Sequence, residues 1–315
     1  MPTNFTHLSV LAKRAPRELV TNADGIYVDA TFGRGGHSRE ILQLLSPKAR
    51  LIAFDRDPQA VECAQAISDT RFCIIHAPFS EMKERLAELG ISEVAGIFMD
   101  IGVSSPQIDD AARGFSFRND GPLDMRMDTT SGVTAAEWIN EAQERDIARV
   151  IDLYGEERYA RKIARAIVTE REKSPIVTTK QLAAIVASCV PVNKKDPTQN
   201  PATRTFQAIR IHINAELEEL QKALSAAMDL SQNGARIAVI TFHSLEDRIV
   251  KRFFDDKAHP ERAFDARLPL RADQLPPPEL VNICRILPDE AECDANPRAR
   301  SAILRVATRV RKGGQ

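Results

Sequence analysis

Four short apolar runs punctuate the first hundred residues, at 26–30, 51–54, 72–75 and 95–99. Each is too short for a helix of ordinary length and reads as a strand buried on both faces. Helical patterns at 38–45 and 58–67 fall between them. Strands alternating with helices predict parallel strands joined by right-handed crossovers, which is a doubly wound α/β sheet. From about 107 to 205 the strand signals stop and helix starts replace them. Thr134 with Glu137, and Thr178 with Gln181, have capping-box spacing, in which a hydroxyl accepts from a free helix amide while the longer side chain reaches back. Ile147, Val150, Ile151 and Tyr154 form an apolar stripe that Gly155 is placed to end. Leu182, Ile185, Val186 and Cys189 form another ahead of Pro191. A long helix is then predicted, with Ile209, Ile213, Leu217, Leu220 and Leu224 along one face, before strands at 236–242, 282–287 and 302–307. The pattern therefore gives a seven-stranded core from 1–106 and 206–315, with 107–205 as an inserted helical domain. Prolines 260, 269, 276, 277 and 278 mark the stretch 258–280 as a loop.

Composition adds bounds to this outline. At 43% hydrophobic and 28% charged, the chain has enough apolar surface for a substantial core. No apolar run approaches the roughly 18 residues of a membrane span, and the first residues show no secretory signal, so the expected location is the cytoplasm. The five cysteines are scattered and never form a Cys-x-x-Cys pair, which predicts neither a disulfide framework nor a metal site. Cys73, within a strand, and Cys189, on a helical stripe, read as buried core. A net charge of -1 gives no overall pull toward nucleic acid, so any such contact must come from local patches. Residues 193–213 hold four Lys or Arg against Asp196 alone, and 298–315 hold six basic residues and no acid. Either patch can be a footprint on phosphates or a solvated face.

The candidate chemistry lies just beyond the strands, where open α/β sheets bind ligands. Gly33, Gly35 and Gly36 follow the first strand and open a helix, an arrangement that lets backbone amides approach a ligand. Asp55 ends the next strand roughly 20 residues on, where a carboxylate can accept both hydroxyls of a ribose. The Gly-Arg-Gly-Gly spacing departs from the Gly-x-Gly-x-x-Gly of pyrophosphate sites, so a cofactor without phosphates fits better than nicotinamide or flavin. His37 and Ser38 would lie near the far end of such a ligand or cap the helix. Phe79, after the third strand, would face a base ring or the core.

The fourth strand ends in Asp100, followed by Ser105, Pro106 and Gln107. This position resembles the Asp/Asn/Ser-Pro-Pro-aromatic loop of enzymes that methylate exocyclic amines, with Gln107 where a second proline would stand. An exocyclic amine is a poor nucleophile because its lone pair is delocalised into the ring. Asp100, aided by Ser105, can accept its protons and orient it, making catalysis a matter of positioning and electrostatics. Methylation at cytosine C5 would need a thiolate, and no Pro-Cys dipeptide is present. His243, Ser244 and Asp247 supply the residue types of a hydrolase triad, but they are adjacent in sequence and no Gly-x-Ser-x-Gly elbow accompanies them. His243 reads instead as lining the substrate side of the pocket, with residues 246–248 beginning a helix.

These motifs together resemble the bacterial small-subunit ribosomal RNA cytosine-N4 methyltransferases. The likeness runs through Gly33-Arg34-Gly35-Gly36-His37-Ser38, Asp55-Arg56-Asp57 and residues 100–107. It continues through Arg113-Gly114-Phe115-Ser116-Phe117-Arg118, Pro122-Leu123-Asp124-Met125-Arg126-Met127-Asp128, residues 201–208, 242–248 and 296–302. The resemblance implies a class I, Rossmann-like methyltransferase core with a helical substrate domain inserted after the fourth strand. It implies S-adenosylmethionine as cofactor, held at Gly35, Gly36, His37, Asp55, Phe79, Asp100 and Gln107, and methylation of one cytidine in the decoding region of 16S rRNA. A homodimer is also implied. From the residues, Arg118, Arg126, Lys194, Lys195, Arg204 and Arg210 are the candidates for holding RNA. The loop chemistry alone would equally serve a DNA amino-methyltransferase, and an RNA-binding assembly factor without catalysis is the non-enzyme alternative.

Overall fold

The computed structural model describes residues 9–191, 200–264 and 274–311. Seven strands form one sheet: β1 (Ile26–Asp29), β2 (Arg50–Asp55), β3 (Phe72–His76), β4 (Val94–Asp100), β5 (Ser231–Thr241), β6 (Leu280–Ile286) and β7 (Ile303–Arg309). Their order is β3-β2-β1-β4-β5-β7-β6. The first five are parallel, and β7 runs antiparallel to both β5 and β6. Chain contacts divide the protein into two units, Met1–Gly102 with Leu217–Gln315, and Val103–Glu216.

The first unit carries the sheet and the helices α1 (Arg14–Leu19), α2 (Gly36–Leu44), α3 (Pro58–Ala64) and α4 (Met82–Glu88). Alternate strand residues feed two apolar layers. Val28, Ile52, Ile97 and Val239 pack with Met82, Leu86, Leu224 and Phe254 on one face. Tyr27, Leu51, Phe98 and Ile240 pack with Leu19 and Ile41 on the other. Both faces are covered, which is why the central strands read as continuous apolar runs. The edge strands β3 and β6 are less covered: Phe72–Ile75 of β3 are half-buried, so Cys73 is not the buried core residue its strand position predicted.

The second unit contains α5 (Ser105–Asp109), α6 (Ala135–Glu141), α7 (Glu144–Gly155), α8 (Ala160–Arg171), α9 (Thr179–Cys189) and α10 (Thr203–Ile213). It has its own core, including Leu123, Ile139, Ile151, Ile163, Leu182 and Phe206. Both expected capping boxes form, Thr134 with Glu137 and Thr178 with Gln181. Gly155 is the last residue of α7, as expected. Glu156 follows as the C-cap, in a left-handed conformation. A Cβ on Gly155 would lie 2.8 Å from the Arg204 carbonyl oxygen, so the glycine serves the close approach of α7 to α10.

The chain then continues through α11 (Glu216–Leu230), α12 (Ser244–Ala258) and α13 (Glu290–Ala295). The single long helix expected across residues 209–224 is thus two helices, broken where Ala215 takes a positive φ of 49°. β5 begins ahead of residue 236 because Gly234, at φ 82°, lets the chain bulge between its pairings with Val94 and Gly96. Among the described residues no helix is long and apolar enough to cross a membrane.

Candidate active site

The strand order reverses between β1 and β4, and the C-terminal ends of the strands around that point carry carboxylates. Asp29 ends β1 and is fully buried; its Oδ2 accepts from the Ser38 hydroxyl at 2.6 Å and its Oδ1 from the Thr31 amide at 3.2 Å. Burial pushes this carboxyl up to about 6 against the pull of those two hydrogen bonds. Asp55 ends β2. Its Oδ2 accepts from the Gly33 amide at 2.7 Å and its Oδ1 from the Asp57 amide at 2.8 Å, and burial again pushes it up to about 6.

Asp100 ends β4, and its amide is anchored on the Thr31 hydroxyl oxygen at 2.6 Å. Oδ2 lies 3.5 Å from His37 Nδ1, whereas Oδ1 is buried without a hydrogen-bond partner among the described residues. Burial, then the charges of Asp29 and Glu246, push the Asp100 carboxyl up to about 8. A buried acceptor with no donor costs stability in the protein alone, so it marks a place where an incoming donor is wanted.

The glycine loop is shaped by tight contacts on one side and space on the other. Gly35 stands at φ 75° at the N-cap of α2, and a Cβ there would meet the Phe32 ring at 2.7 Å. A Cβ on Gly36 would lie 2.0 Å from Ser9 Oγ. At Gly33, with φ 57°, nothing lies within 4 Å of the added carbon. The turn is therefore closed at Gly35 and Gly36 and open at Gly33. His37 is buried, with Nε2 2.9 Å from the Val10 carbonyl oxygen and its ring against Phe98. Ser38 does not cap the helix; its hydroxyl is given to Asp29. Phe79 opens a short turn after β3 and packs half-buried against the core.

After β5, His243 caps α12 and is held by Glu246. The ring Nε2 is 2.9 Å from Glu246 Oε1, while Oε2 accepts from the amides of Phe242 at 2.8 Å and His243 at 3.2 Å. Glu246 is fully buried. Sequence reasoning treated it only as a helix start and gave no role to Asp29 or Thr31. Their positions just past strands were the available signal.

Ser105 and Gln107 fall in the inserted unit, on α5. Gln107 is buried and closes a capping box there, its Oε1 accepting from the Ser104 amide at 2.9 Å. Of the basic candidates, Arg118 and Arg204 are exposed, and Arg204 donates to the Glu156 carbonyl. Arg126 is held bidentate by Asp124, and Arg210 by Glu216. Lys194 and Lys195 lie outside the described residues.

The donor set fits a nucleoside-bearing ligand. Each Asp55 oxygen receives one amide and keeps a lone pair for a ribose hydroxyl, the space at Gly33 is open, and Asp100 Oδ1 is buried without a donor among the described residues. The chain is 55% identical to a ribosomal RNA small subunit methyltransferase H of Ralstonia pickettii, with 98% of each chain covered. It is equally identical to relatives of the same name from Dechloromonas aromatica, covering 98% of this chain and 100% of that one, and from Burkholderia vietnamiensis, covering 98% and 99%. A model of the MraW methylase family matches residues 4–310. The seven-stranded class I sheet and this near-complete match agree: the chain belongs to the MraW methylase family, whose methyl donor is S-adenosylmethionine.

Proposed function

We propose that this chain transfers a methyl group from S-adenosylmethionine to N4 of a cytidine in the decoding region of 16S rRNA. The names of the relatives support the coarser part of this reading, methylation of small-subunit ribosomal RNA. The choice of an exocyclic amine rests on one observation, the buried and partnerless Oδ1 of Asp100 at the end of β4.

Bound over the glycine turn, S-adenosylmethionine would supply an electrophilic methyl group. The chain's own groups do the rest. Asp55 accepts from the ribose hydroxyls, with Gly33, Gly35 and Gly36 shaping the turn beside it, and His37, Phe79 and Gln107 complete the proposed cofactor set. Asp100 accepts a hydrogen from the amine, which localises the nitrogen lone pair and aims it. Ser105 and His243 are proposed on the substrate side. A cytosine stacked in RNA hides its amine, so the base must be extruded to reach Asp100. The inserted unit would hold the RNA, with Arg118 and Arg204 as its exposed basic groups.

Mass mapping of rRNA methylation tests the reading. Small subunits from cells lacking the enzyme, incubated with the protein and labelled S-adenosylmethionine, should gain one methyl on one cytidine N4. Asp100→Asn should slow that transfer by about 10²-fold or more even at saturating cofactor. Label at C5, or no label in rRNA, would overturn the proposal. A loss confined to cofactor binding would remove Asp100 from the amine.

A further inference from the structure

His37 is buried, and its two ring nitrogens face different things. Nε2 lies 2.9 Å from the carbonyl oxygen of Val10, which can only accept, so Nε2 must carry a hydrogen. In the neutral ring the lone pair is then on Nδ1, which faces Asp100 Oδ2 at 3.5 Å. A lone pair directed at a carboxylate oxygen is repulsive unless a proton lies between them. Burial and the nearby carboxylates favour the presence of that proton, since they push Asp100 up to about 8. The charged groups that raise Asp100 are Asp29 from β1 and Glu246 from α12, both acidic, and both favour added positive charge beside it.

We propose that His37 and Asp100 form a proton relay in which His37 Nδ1 is the final acceptor of the proton lost by the methylated amine. The inference rests on the amine-methylating function above and adds the route of the proton. In the resting pair, Asp100 Oδ2 carries the proton and hydrogen-bonds to Nδ1, while Oδ1 accepts a hydrogen from the substrate amine. As the nitrogen forms its bond to the methyl carbon and the sulfonium bond breaks, the nitrogen becomes cationic. Its N–H proton passes to Oδ1, the Oδ2 proton passes to Nδ1, and the products are the neutral N4-methyl base, S-adenosylhomocysteine, a protonated Asp100 and an imidazolium at His37. One proton leaves the amine and one arrives on the ring, so the step balances. The arrangement gives a use to the partnerless Oδ1, to the Nε2 anchor on Val10 and to a buried histidine behind the acceptor. His37 acts through Asp100 and is a positioning and proton-holding residue.

The test reads the pair directly in the protein without cofactor. With only six histidines in the chain, the ring nitrogens of ¹⁵N-histidine-labelled protein can be assigned by comparison with His37→Gln. Expected at neutral pH is the Nε2–H form with Nδ1 shifted as a hydrogen-bond acceptor, and a His37 titration that moves when Asp100→Asn removes its partner. In turnover at saturating cofactor, His37→Gln should lower the methylation rate by about 10²-fold or more and abolish the acid limb of the pH profile. An Nδ1–H form, or a titration identical in wild type and Asp100→Asn, overturns the relay. So does a His37→Gln protein that keeps rate and acid limb. If wild type leaves rRNA unmethylated while the coupled titration is present, the failure belongs to the proposed function and not to the pair.

Discussion

Asp29 shows how a single residue at the rim can be chemically important without being legible as such. It ends β1 fully buried, with one oxygen on Ser38 and the other on the Thr31 amide, and burial lifts its carboxyl from 3.8 to about 6. Because the folded value is the higher one, the fold favours the protonated form. Its contribution is fully present below about pH 4 and is lost as pH rises through about 6. Asp29→Asn removes the charge, keeps one acceptor for Thr31 and offers Ser38 Oγ a donor instead. Between about pH 4 and pH 7 the variant should therefore gain on wild type by on the order of 3 kcal/mol in unfolding free energy. Denaturant titrations across that range check it, and parallel curves for the two proteins would show that Asp29 is not held protonated. In the sequence this residue simply falls within the apolar run 26–30, because its partners Ser38 and Thr31 become meaningful only once the turn between β1 and α2 is folded.

At the scale of elements, the break between α10 and α11 separates what periodicity can see from what it cannot. The spacing from Ile209 through Ile213 and Leu217 to Leu224 is helical throughout and predicts one rod. The chain nevertheless turns, because buried Asn214 is engaged elsewhere. Its Nδ2 donates to the carbonyls of Met125 and Arg210, and its Oδ1 accepts from the Met127 amide, all at 2.8–2.9 Å. Two of these partners are 87 and 89 residues away, beyond the reach of any local pattern. The features that were legible, the two capping boxes and the central strands, depend on neighbours three or four residues distant or on burial on both sheet faces. Substitutions separate the two descriptions by sign. Ala215→Gly should stabilise by roughly 1 kcal/mol by relieving a left-handed alanine, and Asn214→Ala should cost about 2–4 kcal/mol through buried groups left without partners. In a continuous helix glycine would destabilise and alanine would help, so thermal unfolding showing that reversed pair of signs would refute this account of the break.

At the scale of the whole molecule, a net charge of -1 leaves association with RNA to particular side chains. Sequence alone identifies cations but not their partners. Arg126 and Arg210 looked equivalent to Arg118 and Arg204, yet the first two are fixed bidentate by Asp124 and Glu216. The Arg210 pair is almost wholly buried, with side-chain exposures of 15% and 5%. A guanidinium neutralised in this way cannot also displace a counterion from a phosphate, whereas Arg118 and Arg204 face solvent, the latter bonded among the described residues to a neutral carbonyl. The dependence of RNA affinity on salt counts phosphate contacts. Replacing Arg118 or Arg204 by Gln should each reduce the slope of log affinity against log salt by about 1 and weaken binding evenly across RNA sequences. Arg210→Gln should leave the slope unchanged and instead lower stability by about 3–5 kcal/mol, since Glu216 would remain buried without its cation. Binding titrations from about 50 to 200 mM salt distinguish the two groups. If Arg210→Gln flattened the slope as much as Arg204→Gln while folding stability held, the buried pair would have to open to RNA, and the inserted unit's basic surface would have to be redrawn around it.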